Sequence, residues 1–381
     1  MDFAFTPEDE IFRRSVREFA VQRLLPDYRR WDRGEALPRE IIGDMASRGF
    51  TKLRLPADYG GEGASFTQCG IAAEELSRGD PNVAMLILNP MVVGEIAHLL
   101  REEFKGQWLP KIANGAVVGV DSTEPMAGSD AAQLRTTARL KGDYYEVNGE
   151  KSSASFTGFM EFSIMFVRTG PSGSRGISCI VVPMDLSGIS RQVYRSPGGR
   201  ATQRGSVFLD DVRVPALNLV GEEGAGFNIM MQQFDFLRPL LGLMGVGAAL
   251  KSLEETVEYV KQRQAFGQPI AKFEGVSFEL AENFTMVEAA RLMAYKAFFL
   301  KDQGQPIPKE GAMAKWLCIQ AALSAIHSCI VLHGHYGYSE ELPLELRLRD
   351  VLGYEIAEAP PQILKLIISR EILGRGFLPH A

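Results

Sequence analysis

Three long stretches, residues 228–262, 275–303 and 308–331, repeat their apolar side chains at helical spacing. A helix of that length cannot bury its apolar face alone, so the three predict helices packed side by side in a bundle. Gly242, Gly245, Gly247, Ala248 and Ala249 in the first stretch supply small side chains that let neighbouring helices approach closely. A phosphate-cradling role for these glycines would need a preceding strand and a GxGxxG spacing, and the sequence offers neither.

Upstream the texture is different. From about residue 116 the chain breaks into short β-prone runs at 117–120, 134–140, 144–147, 164–167, 177–182 and 207–214. Gly142-Asp143, Asn148-Gly149 and Pro171-Ser172-Gly173 punctuate them as turns, the pattern of a compact antiparallel β unit. Before residue 115 the chain reads as helices. Thr6, Pro7 and the acids Glu8, Asp9 and Glu10 form a helix start, followed by an apolar face of Ile11, Phe12, Val16, Phe19 and Ala20. Further helices are expected around 41–45, 71–76 and 92–100, with a turn at Pro56–Gly61. The fold class is therefore mainly α with a central antiparallel β domain: a helical unit over 1–115, a β unit over 116–226 and a helical bundle over 227–381.

With 46% hydrophobic and 23% charged residues, a chain of 381 residues can bury a sizeable core. A net charge of −6, without a compensating basic run, offers no field for a nucleic-acid backbone. Cys69, Cys179, Cys318 and Cys329 have no metal or disulfide spacing, and a reducing compartment fits them best. The acidic opening MDFAFTPEDEIF reads as a capped helix rather than a targeting peptide, so a cytoplasmic protein is expected. No apolar run reaches the roughly 20 residues that span a bilayer, and no membrane insertion is expected. The histidines His98, His327, His333, His335 and His380 form no compact ligand pattern, and no GxSxG elbow occurs. Chemistry must come from carboxylates or a cofactor.

Four segments carry candidate chemistry. The loop Ser122–Asp130 is rich in hydroxyls and glycine and can offer backbone amides to a ligand. Arg263–Gly267 sets an arginine and an aromatic ring at the end of a long helix, and Leu332–Tyr338 ends another in a glycine turn. In the last segment Pro360 and Pro361 open a helix, which puts Glu358 at or just outside its N-terminus. Taken singly, each has an ordinary structural explanation as a loop, a helix cap or a dipole-stabilising acid.

Taken together and in order, the segments resemble the acyl-CoA dehydrogenase family over essentially the whole sequence. The matching motifs are PADYGGEG (56–63), TEPMAGSD (123–130), NGEK (148–151), VPALNLVGEEGAGF (214–227), FDFLR (234–238), RQAFG (263–267), Gly337-Tyr338, and Arg349-Asp350 before the glutamate segment. The resemblance implies a homotetramer of subunits with a four-helix C-terminal domain, and FAD between the β and C-terminal domains. It places Thr123, Gly128 and Ser129 on the flavin and pyrophosphate, with Ser153 and Ser155 facing the ring. Arg263 and Phe266, with the turn at Gly334, would reach the FAD of a neighbouring subunit. Asp235 and Arg238 match positions that hold the CoA portion, and Ser129 and Ala357 fall beside the substrate.

The implied reaction is α,β-dehydrogenation of an acyl-CoA, with Glu358 as the base for the α-proton and the flavin as hydride acceptor. An α-proton of a thioester is a weak acid, so the carbonyl oxygen must be polarised; the resemblance implies that the Glu358 amide and an FAD hydroxyl do this. Excluding water from the site makes the carboxylate a stronger base. An electron-transfer flavoprotein is the expected acceptor. An oxygen-using oxidase and a non-catalytic acyl-CoA-binding relative are the alternatives.

Departures from the family pattern bear on cofactor and substrate. Glu358-Ala359-Pro360 stands where Glu-Gly-Thr is common, and Ser153 stands where a tryptophan usually covers the flavin. Glu274 and Val331 occupy positions of two common glutamines, and His335 that of a glycine. Ala357 replaces an aromatic beside the base. Small residues at 153 and 357 predict a wider cavity and a cyclic or branched acyl group of the cyclohexanecarboxyl-CoA kind.

Overall fold

The computed structural model describes residues 4–377. Helix α1 (Pro7–Phe19) starts where Thr6 Oγ1 accepts from the Asp9 amide, with the acids Glu8, Asp9 and Glu10 in the first turn. Ile11 departs from the expected apolar face. It is 61% exposed while Val16 and Phe19 are buried. Short helices α2 (Tyr28–Asp32) and α3 (Arg39–Ser47) follow. Helix α4 (Phe66–Ser77) begins in a capping box between Ser65 and Gln68, and α5 (Pro81–Ala84), α6 (Leu88–Ile96) and α7 (Glu102–Ala113) complete the helical region.

One sheet then holds β1 (Val118–Asp121), β2 (Thr137–Lys141), β3 (Tyr144–Ala154), β4 (Phe162–Arg168), β5 (Ile177–Pro183), β6 (Ile189–Val193), β7 (Gly205–Pro215) and β8 (Leu219–Val220). Its order is β6-β7-β3-β2-β4-β5-β8, with β1 on β4. Two details differ from the sequence-based expectation. The β1–β4 pairing is parallel, so the sheet is not wholly antiparallel. Asn148-Gly149 is no turn but a bulge inside β3, where Asn148 exchanges hydrogen bonds with Asp211 across the strand pair. Gly149 has φ +146°, and a Cβ there would lie 2.7 Å from the Thr136 backbone.

Helices α8 (Gly226–Gln262), α9 (Glu274–Asp302) and α10 (Pro308–Leu332) pack as the bundle, joined by α11 (Leu344–Ile356) and α12 (Pro361–Leu373). The small residues of α8 permit this. A Cβ on Gly242 would meet Cys318 at 3.1 Å, one on Gly245 would meet Ile319 at 2.8 Å, and one on Gly247 would meet the Glu74 carbonyl at 2.1 Å. One expectation is corrected. By length and composition Pro81–Leu99, Gly226–Gln262 and Pro308–Leu332 are long and apolar enough to cross a bilayer. In the fold the apolar window of α8 is 89% buried against protein.

The three regions meet on α11. Asp350 Oδ2 accepts from Tyr28 Oη at 2.6 Å and Asn82 Nδ2 at 2.8 Å, and its Oδ1 accepts from the Gly199 amide at 2.7 Å. Tyr354 donates to the Pro81 carbonyl. The Thr202 carbonyl accepts from the Phe156 amide at 2.7 Å, which links this junction to the end of β3.

Candidate active site

The link between α11 and α12 is four residues long. Pro360 disfavours helical geometry in the residue before it and cannot donate, so α11 stops and α12 restarts at Pro361. Ala357 is extended, and Glu358 (φ +53°) and Ala359 (φ +93°) are both left-handed. Two consecutive non-glycine residues in that region are costly, and such strain concentrates where a side chain must be aimed. The turn directs the Glu358 carboxylate inward. Its Oε2 is buried and has no hydrogen-bond partner.

Two buried cations flank this glutamate. Arg238 of α8 donates from Nε to the Glu358 carbonyl at 3.3 Å and lies 3.4 Å from Asp235. Its guanidinium also covers the Phe234 ring at 5.4 Å. Lys315 of α10 donates to the carbonyls of Ala357, Ala359 and, at 3.4 Å, Glu355. Burial pushes the Glu358 carboxyl above the usual range, and Lys315 and Arg238 offset only part of this. Burial likewise lowers Lys315, to about 8. A carboxylate whose charged form is disfavoured by burial and which keeps a free lone pair can accept a proton.

On the β region, the turn from Thr123 to Asp130 is closed by paired backbone hydrogen bonds between Glu124 and Ala127. The Glu124 carboxylate turns inward, accepting from Lys151 Nζ at 2.8 Å, the Arg135 amide at 2.5 Å and the Thr136 amide at 2.9 Å. Thr123, Gly128 and Ser129 are left exposed, and a Cβ on Gly128 would meet nothing within 4 Å. The Ser152 amide donates to the Thr123 carbonyl at 2.9 Å, which brings exposed Ser153 and half-buried Ser155 beside that turn. Ser153 and Phe156 are themselves left-handed, at φ +60° and +64°. Free hydroxyls and an open glycine, with the nearby acid neutralised inside, suit an anionic, ring-bearing cofactor such as FAD.

Other expected residues lie elsewhere in the chain. Arg263 follows α8, 25 positions after Arg238, or on the order of 35 Å along the helix. It begins a hairpin in which Gln264-Ala265 pairs with Gln268-Pro269, and left-handed Phe266 and Gly267 form its tip. Phe266 is 94% exposed. Gly334 is exposed at the end of α10, and the departures Glu274, Val331 and His335 are all exposed. His380 lies outside the described residues. Among the described residues no cluster of three or more metal-ligating side chains occurs. The four cysteines are buried and free.

Lys315 was not singled out by motif. Its one visible signal is a lone lysine within the apolar run GAMAKWLCI.

Three family models match: acyl-CoA dehydrogenase N-terminal domain over residues 6–116, middle domain over 119–212 and C-terminal domain over 224–373. An acyl-CoA dehydrogenase of Bacillus subtilis (strain 168) is 35% identical over 374 residues, covering 97% of this chain and 99% of its own. The solved butyryl-CoA dehydrogenase of Megasphaera elsdenii superposes with a TM-score of 0.94 at 30% identity, over 98% of this chain and 100% of that one. A structure described as the electron transferring flavoprotein of Acidaminococcus fermentans superposes with a TM-score of 0.95 at 32% identity, over 98% and 100%.

Proposed function

The chain belongs to the acyl-CoA dehydrogenase family, whose members bind FAD, and from that premise we propose that Glu358 takes the α-proton of an acyl-CoA thioester in an α,β-dehydrogenation. The observation that carries this reading is the buried, unpartnered Oε2 of a carboxylate locked into a left-handed turn. Burial favours the protonated form of Glu358, so the thermodynamic cost of receiving the proton falls. FAD, when bound, supplies the acceptor for the β-hydride.

The remaining roles fall to side chains and amides of the chain. The Glu358 amide belongs to neither flanking helix and serves as a donor to the thioester oxygen, where negative charge develops. Thr123, Gly128 and Ser129 hold the cofactor from the β side, and Ser153 and Ser155 face its ring. Asp235 and Arg238 orient the substrate, and Ser129 and Ala357 line its path. The distance along α8 supports a role for Arg263 and Phe266 toward the cofactor of a neighbouring subunit in a homotetramer, and the exposed turn after α10 brings Gly334 to the same role.

Electrons leave to an electron-transfer flavoprotein, in keeping with the flavoprotein similarity above. The substrate is a cyclic or branched acyl-CoA, because Ser153 and Ala357 leave room that larger side chains would fill. Anaerobic absorption spectra of the FAD-loaded protein with cyclohexanecarboxyl-, butyryl- and octanoyl-CoA test the substrate, and peroxide assays in aerated buffer test the acceptor. Bleaching fastest with the cyclic thioester and no peroxide in air support the two claims. Preference for a straight chain overturns the substrate assignment, and rapid peroxide release in air without a carrier overturns the acceptor.

A further inference from the structure

We propose that Lys315 is a positioning residue for Glu358, holding the base in its turn through the backbone carbonyls on either side of it. The inference rests on the reading of Glu358 as the base. The three carbonyls of Glu355, Ala357 and Ala359 converge on one ammonium, which has three donors to give. Lys315 is 1% exposed and reaches the turn from α10, a helix separate from the two that the turn connects.

The turn needs such a clamp. Alanine at φ +93° lacks the freedom of glycine, and Glu358 at φ +53° adds to the strain. The flanking helices hold only the ends of the turn: the Ala357 amide donates to the Gly353 carbonyl of α11, and the Pro360 carbonyl accepts from the Ile363 and Leu364 amides of α12, while Pro360 and Pro361 cannot donate. Arg238 contributes one hydrogen bond, at the Glu358 carbonyl. Lys315 binds the carbonyls on both sides of it, so the two cations together fix three consecutive peptide units.

Charge follows from the same placement. The groups facing Lys315 are Glu358, Arg238 and Glu355, and Glu355 is occupied by Gln320 Nε2 at 3.0 Å. The ammonium donates to carbonyls rather than to the Glu358 carboxylate, so it steadies the base electrostatically and leaves Oε2 free for a proton.

The test combines kinetics with a stability cycle on the FAD-loaded protein. K315M should slow flavin reduction on the order of 10²-fold with little change in substrate binding, as a misplaced base does. Its acid limb should move to higher pH, because Glu358 loses a neighbouring cation. Adding A359G to K315M should restore part of the rate, since glycine accepts the left-handed turn without strain. In denaturant melts, E358Q should stabilise the K315M protein more than it stabilises wild type. A wild-type rate and acid limb in K315M, or additive effects of K315M and E358Q on stability, overturn the role of Lys315. Flavin reduction that survives in E358Q overturns the base assignment instead, and the stability cycle, which needs no turnover, still decides whether residues 315 and 358 are coupled.

Discussion

Arg238 donates to the backbone carbonyl of Glu358 at 3.3 Å and leaves the carboxylate of the same residue with a buried, unpartnered oxygen. Turning the cation to the carbonyl fixes the residue while leaving the carboxylate oxygen free. Stability is given up for readiness: an unpaired polar atom in the interior costs about 1–3 kcal/mol.

E358Q removes the charge that burial disfavours, and its effect on stability therefore depends on pH. Burial raises the folded-state pKa of Glu358 above 4.5, so its stabilising contribution is full below 4.5 and is lost as pH rises through the folded value. The glutamine variant should therefore match wild type in acid and exceed it at neutral pH, by about 1–3 kcal/mol. Chemical denaturation across pH checks this, and a constant difference would contradict it.

K151M should loosen the cofactor-facing turn. Burial opposes ionisation of Glu124, yet Lys151 and the amide donors hold its carboxyl below the ordinary value. Removing one member of a buried pair costs about 3–5 kcal/mol. The expected result is a lower melting temperature together with weaker FAD binding, measured by equilibrium dialysis. Unchanged affinity would detach this pair from the site.

D350N tests the three-way junction. Burial raises Asp350 to about 6, so its contribution to stability is fully present below 3.8 and lost as pH rises through about 6. An amide also sets a donor against Asn82 Nδ2 or Tyr28 Oη, at a cost of about 1–3 kcal/mol. The destabilisation should be larger near about pH 5 than near about pH 7 in paired melts. The opposite order would contradict the assignment.

F266A probes the hairpin after α8. The ring meets Phe273 edge-on at 6.0 Å and otherwise faces outward. Truncation should leave subunit folding intact and weaken assembly and FAD affinity, on the order of 2 kcal/mol for an aromatic anchor. Sedimentation velocity and FAD titration check it, and wild-type behaviour in both would remove Phe266 from the shared site.

Much of this was legible in the sequence. The helices of the bundle follow from apolar spacing, and the start of α12 from Pro361. Strand β6, Ile189–Val193, escaped notice because it is an exposed edge with no apolar alternation. Asn148-Gly149 misled because a turn dipeptide also suits a bulge, and only the crowding at Thr136 distinguishes them. Glu358 stands out through its place among motifs. Lys315 does not, because a carbonyl clamp is built from backbone atoms and leaves no motif.

The central claim is that Glu358 is the proton acceptor, and anaerobic mixing of the FAD-loaded E358Q protein with an acyl-CoA that bleaches wild type tests it most directly. The account predicts that the thioester binds, perturbing the flavin spectrum, while the flavin stays oxidised. Bleaching at a rate near wild type would contradict it.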